Sequence, residues 1–544
     1  MNPKNLKNLF EKYEFLIPLL LFVVFLALTL PGISWGAPST WHPDEIVVRS
    51  INALTSDYHF DEGNYDYPTL PQYVMYGLGK IVLASGYSDK EVLISARVLS
   101  AILAGLIVVT TYYITRRAGG NMYVAGLSGL LLICVSEMEH NGRFAHNDTY
   151  ITFFTTLAVF FVIEYFNKQN KAWLYGAFIF VGMAASSKYI GGSLLVVPVM
   201  VYLVGQRKNL RPASLAIVET LFIGGVLTFL GYAVGTPKAL FWMTYYFKRV
   251  LTALHWQVGY GKEPDSVRGF WGQYGVLADG LGWALMLLFG VALIWTIYQV
   301  IKSYRNHEID QTSRRGIFTI LVFAILMLDL PMMVSYNYQL RYFLTLMPFL
   351  AVLAAFFVEE LFTLAKRSGR SIYPMFVSVG VSAIVLYSIA RVISLMLLVV
   401  NDARIPASAF IQTLPLNTSL EHTYYPPTIP ENHFSREHNY PIYFRKEGEP
   451  LPTSKNFKFN VGEVGLDERA TDYLVVDSFT TEKFNDPYTC VDMQVECDFF
   501  KQLATGQSNH YKLLAEFKYV LPPYLPKISV LFLNPAIRVY KKIK

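Results

Sequence analysis

Residues 14–34 read EFLIPLLLFVVFLALTLPGIS, a mostly apolar run, and residues 41–45 shortly after it read Trp-His-Pro-Asp-Glu. The run matches the roughly 20 apolar residues that a helix needs to cross a bilayer. We predict that it is an uncleaved first span, because no small-residue cleavage site of a signal peptide is evident after it. The two carboxylates would then lie at the mouth of a membrane helix.

Ten further segments have the length and apolar character of spanning helices. They cover residues 91–115, 121–138, 148–166, 172–187, 189–205, 213–235, 275–300, 316–335, 342–362 and 372–400. The whole chain of 544 residues is 53% hydrophobic and only 16% charged. Soluble domains carry about 25% charged residues, so the composition excludes an ordinary soluble enzyme. We therefore predict a polytopic α-helical membrane protein with eleven spans.

The basic residues of the short loops predict the orientation of these spans. If the N-terminus is cytoplasmic, the Lys and Arg residues at 116–117, 168–171, 207–211, 302–315 and 366–370 all fall on the inner side. Cytoplasmic loops are enriched in Lys and Arg, so this orientation is favoured. The same pattern indicates membrane topology rather than a nucleic-acid surface. We expect a multi-pass protein of the cell (plasma) membrane.

Charge divides the chain into two domains. Residues 401–544 contain 16 Lys and Arg and 17 Asp and Glu, a much higher density than in residues 1–400. We predict a transmembrane domain over residues 1–400, including a long outer loop at 35–90, and an extracytoplasmic α+β domain over 401–544. Strand-like runs occur at 473–476 and 536–540. Cys490 and Cys497 fall in this domain, where oxidation is permitted, and the sequence leaves open whether they form a disulfide.

The first outer loop carries the adjacent carboxylates Asp44 and Glu45. Two carboxylates at the outer mouth of a membrane helix are a candidate acid/base site. The alternative is that they only cap the short interfacial helix expected after them, since acidic residues favour a first helical turn. Spacing alone does not decide between these interpretations.

Charged residues also occur at the outer ends of later spans. Arg143 and Asp148 lie in and after the second outer loop, and Lys188 and Arg341 stand at two other outer boundaries. Lys and Arg at a span end often extend to lipid headgroups. Here they lie on the side with few basic residues, which weakens the lipid-headgroup explanation. The alternative hypothesis is that they form an outward-facing cationic cluster that binds an anionic phosphate.

Three histidines lie in the same loops as these carboxylates, so a metal site is another possible interpretation. His42, His140 and His146 lie in the first two outer loops, without the fixed spacing of a known metal motif. A divalent metal stays an alternative that the spacing does not favour. We predict no metal and no other cofactor.

Several motifs together make the chain resemble the GT-C membrane glycosyltransferases, the group of protein O-mannosyltransferases, aminoarabinose transferases and RgtA/B/C/D-like enzymes. The motifs are His-Pro-Asp-Glu at 42–45, Tyr-Pro-x-Leu at 67–70, Arg-Val-Leu-Ser at 97–100, the segment 143–148, Ser-Lys-Tyr at 187–189, Arg-Tyr-Phe at 341–343, the segment 401–407 and Asn-Pro-Ala-Ile at 534–537. Their order along an eleven-span topology carries the resemblance, which covers most of the chain.

The resemblance implies transfer of a sugar, with inversion, from a polyprenyl- or dolichyl-phosphate donor to a protein, lipid or glycan acceptor on the outer side. It assigns Asp44 as the base that accepts the acceptor's proton, with Glu45 and Asp148 as further catalytic residues. Arg143, Lys188 and Arg341 would bind the lipid phosphate. Tyr67 and Tyr342, which stand in matching motifs, would also contact substrate.

One position departs from the resemblance. Aminoarabinose transferases carry a Lys just before the first-loop Pro, where this chain has Tyr67. Aminoarabinose as donor sugar and lipid A as acceptor are therefore disfavoured. The rival interpretations are a secondary transporter or a flippase of lipid-linked substrates, and a membrane scaffold with a binding ectodomain. A transporter is expected to carry ionisable residues at mid-membrane, whereas the notable charges here stand at outer helix ends.

Overall fold

The computed structural model describes residues 14–55, 67–206, 214–259, 270–305, 314–334, 339–439, 471–485, 490–491, 494–528, 530 and 532–543. Contacts between Cα atoms divide the chain into two units. The first is helical and comprises Met1–Ile33, Asp44–Leu395 and Pro526–Ile528. The second comprises Ser34–Pro43, Met396–Leu525 and Ser529–Lys544. Part of the first outer loop therefore groups with the C-terminal residues.

The first unit is built from long apolar helices joined by short loops. Its α-helices are α1 Leu16–Thr29, α2 Val47–Thr55, α3 Leu70–Ala84, α4 Asp89–Arg117, α5 Met122–Ile133, α6 Ser136–Gly142, α7 Asn147–Lys168, α8 Lys171–Ser187, α9 Val196–Gln206, α10 Ser214–Gly235, α11 Lys238–Phe241, α12 Met243–Gly259, α13 Phe270–Leu281, α14 Trp283–Arg305, α15 Arg314–Asp329, α16 Met347–Arg367 and α17 Ile372–Val400. Short 3₁₀ turns at Tyr189–Leu195 and Leu340–Leu346 precede α9 and α16.

Seven helices among the described residues have the length and apolar character to cross a membrane. The number becomes eight if α5 and α6, which meet at a 66° bend, form one span. The protein is therefore a multi-pass membrane protein, and the predicted fold class is confirmed. A helix lies in each of the eleven predicted segments, but α1, α8 and α15 have only 14, 17 and 16 residues. The eleven-span count stays a prediction, and its basic segment 207–211 lies outside the described residues.

Two glycines set how closely α8 and α10 approach. A Cβ atom added to Gly182 would lie 2.1 Å from the carbonyl oxygen of Thr228, and one added to Gly231 would lie 2.4 Å from that of Ile179. Helices in membranes pack through such small residues, because lipid provides no hydrophobic driving force between them. This backbone contact holds the C-terminal end of α8, where Lys188 follows.

The second unit contains a five-stranded mixed sheet. Its strands are β1 Ser419–His422, β2 Arg436–Asn439, β3 Tyr473–Asp477, β4 Tyr511–Phe517 and β5 Ile537–Lys542, in the order β2-β1-β3-β5-β4. Strand β1 runs parallel to β2 and β3, whereas β5 runs antiparallel to β3 and β4. All five residues of β3 are buried, as expected of a central strand. Both predicted strand runs are confirmed as β3 and β5.

The helices of this unit are α18 Arg404–Ile411, α19 Ser478–Thr481 and α20 Gln494–Thr505. Cys490 and Cys497 form a disulfide beside α20. A buried ion pair joins the guanidinium of Arg404 to Asp402 at 2.8 Å. The same guanidinium lies over the rings of Trp35 and Trp41, at 4.8 and 4.5 Å from their centroids. These contacts attach the loop Ser34–Pro43 to the start of α18.

Candidate active site

The neighbouring carboxylates Asp44 and Glu45 have different environments. Asp44 is 32% exposed, and its Oδ2 lies 2.6 Å from Nη1 of Arg341. Glu45 is buried and accepts two hydrogen bonds from the guanidinium of Arg97, at 2.8 and 2.7 Å. A third bond to Glu45 comes from the backbone N–H of Ala145. Of these two carboxylates, Asp44 is therefore the one that remains accessible from outside.

Asp148 is the centre of a cluster of charged side chains. Its Oδ1 accepts a hydrogen bond of 2.6 Å from Nζ of Lys188. Its Oδ2 lies 2.8 Å from Nδ1 of His146 and 3.8 Å from Nε of Arg341. Arg341 thus stands between the two carboxylates Asp44 and Asp148. A buried carboxylate is costly unless it is paired, and these contacts supply that pairing.

Local structure explains how distant residues reach this cluster. Asp148 lies in the first turn of α7, where the helix dipole favours a negative charge. Lys188 is the extended residue directly after α8. Arg341 lies in the 3₁₀ turn before α16. The three charges therefore come from the ends of three elements, where a side chain can leave the helix bundle without disturbing its apolar packing.

Two tyrosines complete the cluster. The ring of Tyr342 lies beneath both cations, with its centroid 4.2 Å from Nζ of Lys188 and 5.5 Å from the guanidinium of Arg341. The ring of Tyr67 meets the ring of His146 edge to face at 6.2 Å. Burial raises the pKa of the Tyr67 hydroxyl, which therefore keeps its proton at neutral pH. The structure brings together six of the eight predicted site residues: Asp44, Asp148, Lys188, Arg341, Tyr67 and Tyr342.

Arg143 has a different environment from the one predicted. Its guanidinium is fully buried, forms an ion pair with Glu139, and donates to the carbonyl oxygens of Leu28 and Pro31. These bonds connect the second outer loop to the end of α1. Because its charge is already neutralised in the interior, this geometry does not support Arg143 as a ligand of the lipid phosphate.

The contacts of Glu45 also differ from those expected of a catalytic carboxylate. A bidentate pair with the buried Arg97 is a structural bond that fixes the loop at the start of α4, so the geometry does not support a direct catalytic role. The contacts do not favour the capping alternative either, because α2 begins only at Val47. Sequence reasoning considered Arg97 only as part of a motif. An arginine inside a long apolar run was the available signal, since such residues are expensive and are usually paired.

The position of His146 beside Asp148 was also not predicted, because the sequence indicated His146 only as a possible metal ligand. The available signal was its position two residues before an acidic first helical turn. Among the described residues, no group of three or more His, Cys, Asp or Glu side chains is arranged to hold a metal ion. The cation between Asp44 and Asp148 is instead Arg341.

Comparisons with known proteins show which solved structures resemble this chain in fold. The archaeal oligosaccharyltransferase of Archaeoglobus fulgidus in its apo form superimposes with a TM-score of 0.55 at 12% identity, over 94% of this chain and 80% of that one. The same enzyme in complex with an inhibitory peptide and a dolichol-phosphate gives 0.51 at 11% identity, over 91% and 72%. ArnT from Cupriavidus metallidurans bound to undecaprenyl phosphate gives 0.44 at 12% identity, over 95% and 97%.

Part of the sequence also matches a protein family. Residues 81–211 match the family described as dolichyl-phosphate-mannose-protein mannosyltransferase. A search of curated proteins finds no significant match. The shared fold and this partial family match confirm the predicted resemblance of the chain to the GT-C membrane glycosyltransferases. The matched stretch includes α4, the second outer loop, Asp148 and Lys188.

Proposed function

We propose that this protein transfers a sugar from a polyprenyl- or dolichyl-phosphate carrier to a hydroxyl of a protein, lipid or glycan acceptor on the extracytoplasmic side, with inversion. The observation that carries the proposal is a partly exposed carboxylate, Asp44, held 2.6 Å from a guanidinium that also neighbours Asp148. The dolichol-phosphate in the oligosaccharyltransferase of the same fold supports a lipid-phosphate donor. The matched mannosyltransferase family supports it too.

Charge balance explains what the cluster does in such a reaction. Two carboxylates, Asp44 and Asp148, are matched by two cations, Lys188 and Arg341. The donor is a phosphodiester with one negative charge. When the bond between the sugar C1 and the phosphate oxygen breaks, the electron pair stays with the phosphate, whose charge becomes more negative. Lys188 and Arg341 would stabilise this developing charge.

Proton transfer to Asp44 would release Arg341 to interact with the leaving phosphate. The acceptor oxygen forms its bond to the sugar C1 and gives its proton to the Asp44 carboxylate. Asp44 is then neutral and no longer competes for the guanidinium of Arg341. The charge of Arg341 passes to the leaving phosphate, so a single residue couples activation of the nucleophile to departure of the lipid phosphate.

Replacing either phosphate-binding cation is expected to weaken donor binding. Arg341→Ala and Lys188→Ala each remove a charge-assisted contact of roughly 1.5–3 kcal/mol, which corresponds to about a 10- to 150-fold loss of affinity. Arg341→Lys keeps the charge without the planar guanidinium and is expected to fall between these variants and the wild type. Binding of labelled polyprenyl phosphate to the purified protein in detergent measures the effect.

Lys80→Ala is the matched control, because Lys80 is an exposed lysine on α3 that lies beside Tyr76. Its affinity for polyprenyl phosphate is expected to equal that of the wild type. Unchanged affinity in both the Arg341→Ala and the Lys188→Ala variants would contradict the proposed phosphate site.

The proposed orientation makes a separate prediction. With a cytoplasmic N-terminus and an odd number of spans, the C-terminal domain over residues 401–544 is extracytoplasmic. Protease added to intact cells or protoplasts is expected to remove this domain and leave the helical unit in the membrane. Protection of the domain until the membrane is permeabilised would show that the orientation is reversed.

A further inference from the structure

An apolar groove lies in the helical unit, at the end of the bundle opposite to the charged cluster. It runs between α7, α9, α14 and α15 and has a volume of about 220 Å³. Side chains of Phe166, Met200, Val204 and Phe323 form much of its wall. Asp148 lies in the first turn of α7 and Phe166 in its last turn, so about 27 Å of helix separates the groove from the candidate active site.

Two glycines account for the shape of the groove. A Cβ atom added to Gly205, which lines the groove, would meet no described atom within 4 Å. A Cβ atom added to Gly316 would instead overlap the ring of Phe166. The first glycine therefore leaves space open on α9, and the second allows α15 to approach the phenyl ring that forms one wall.

The groove opens on the surface of the helical unit. Its lining residues Met200, Val204 and Tyr304 are between 42% and 52% exposed. Along α15 the lining extends from Gly316 to Phe323, about 10 Å parallel to the helices. Three of its four helices are long and apolar enough to span a membrane. A hydrocarbon chain fits such a groove, because an unfilled void loses packing contacts and water is a poor partner for apolar walls.

Basic residues stand at one end of this groove. Arg305 is exposed and directly follows the lining residue Tyr304, and Arg315 directly precedes the lining residue Gly316. Residues 302–315 contain four Lys and Arg but only two Asp and Glu. A negatively charged group would therefore be attracted to the end of the groove where α14 ends and α15 begins.

The adjoining end of α7 adds to this positive charge. Glu164 is buried there and forms ion pairs with both Arg117 and Lys168. Two cations for one carboxylate leave a net positive charge. Under the proposed orientation this end of the bundle faces the cytoplasmic leaflet, which contains anionic lipids, and basic pockets between spanning helices on that side bind anionic headgroups.

We propose that the groove binds one anionic phospholipid, with an acyl chain between α9 and α15 and the phosphate headgroup at Arg305 and Arg315. A phospholipid supplies both parts that the groove requires, a hydrocarbon chain for the apolar walls and a negative charge for the basic end. The inference goes beyond the proposed function and does not depend on it, since the groove lies at the other end of α7 from Asp148.

The test uses phosphatidylglycerol and phosphatidylcholine that carry the same photoactivatable acyl chain. Each probe is added as a small fraction of phosphatidylcholine vesicles that contain the full-length protein, and labelled residues are identified by mass spectrometry. Leu386 on α17 is 68% exposed and reports contact with bulk lipid. Phosphatidylglycerol is expected to label the groove at least about fivefold more than phosphatidylcholine does, whereas both probes label α17 equally.

Substitutions separate the acyl chain from the headgroup. Gly205→Leu fills the groove and is expected to reduce its labelling by both probes about 10-fold relative to α17. Val204→Trp fills it from a partly exposed position and is expected to do the same, so the result does not depend on the folding of one variant. Replacing both arginines, Arg305→Gln/Arg315→Gln, is expected to abolish the preference for phosphatidylglycerol.

Gly290→Leu is the matched control for the filling variants. Gly290 is an exposed glycine of α14, and a Cβ atom added to it would also meet no described atom within 4 Å. This variant is expected to label as the wild type does, with the same unfolding temperature.

Four other outcomes overturn the inference. Equal labelling of the groove by both probes would show that it contacts bulk lipid only. A preference that survives the loss of both arginines would place the headgroup elsewhere. Displacement of the probe by polyprenyl phosphate would identify the occupant as the carrier lipid. Photolabelling lost because two copies of the chain cover each other's groove, seen as a dimer by cross-linking, would identify it as a second copy.

Discussion

Asp44→Asn is expected to lower turnover by about 10²- to 10⁴-fold, the usual cost of losing a general base. The substitution preserves the size of the side chain and its ability to hydrogen bond, but it removes the basicity that the acceptor's proton requires. Donor affinity is expected to stay equal or to rise slightly, because a negative charge next to the phosphate site is lost. Single-turnover transfer to a cell-envelope acceptor, measured beside donor binding, separates the two effects.

Asp89→Asn is the matched control for this variant. Asp89 is a carboxylate in the first turn of α4, outside the charged cluster, and its replacement is expected to leave transfer unchanged. If Asp44→Asn transfers sugar at the wild-type rate, Asp44 is not the base. The base would then have to be sought at Glu45 or Asp148, each of which is buried and paired with a cation.

Glu45→Gln is expected to destabilise the helical unit by about 3–5 kcal/mol, the cost of breaking a buried ion pair by removing one partner. The amide introduced by this substitution would still accept a hydrogen bond, but the guanidinium of Arg97, 1% exposed, would lose its counter-charge. Thermal unfolding of the purified protein in detergent is the measurement, and the lower unfolding temperature should appear with and without donor.

Two comparisons separate this structural role from a catalytic one. Glu91→Gln alters an exposed carboxylate of the Ser88 capping box, where Gln serves almost as well, and should not change the unfolding temperature. The double variant Glu45→Met/Arg97→Met removes both charges and is expected to recover most of the lost stability. A Glu45→Gln protein with wild-type stability but impaired transfer would instead support the catalytic role that the family resemblance implied.

Much of the fold could be predicted from the sequence because hydropathy is a local property. Each of the eleven apolar segments contains a helix, since a backbone in lipid must satisfy its own hydrogen bonds. The strands β3 and β5 were equally visible as short runs of β-branched and aromatic residues. Lengths were less predictable: α1 ends at Thr29 and α15 at Asp329, several residues before the ends of their apolar segments, and turns follow both helices.

The site was predicted less completely, because the ion pairs of the folded structure determine which charged residues lie together in it. Arg143 and Arg341 look alike in sequence, as outer arginines near a span end. The first is neutralised by Glu139 in the interior, and the second reaches the partly exposed Asp44. No local pattern distinguishes a cation that pairs with a fully buried carboxylate from one that pairs with a partly exposed carboxylate.

The sequence by itself determined that this is a multi-pass membrane protein with a charged C-terminal part, and it placed the candidate site residues in loops and at the ends of helices. Only the tertiary structure decided which partners the two adjacent carboxylates Asp44 and Glu45 have. Arg341 stands 297 positions after Asp44, and Arg97 stands 52 after Glu45. The physical reason is that a buried charge must find an opposite charge, and which one it finds depends on how the helices pack.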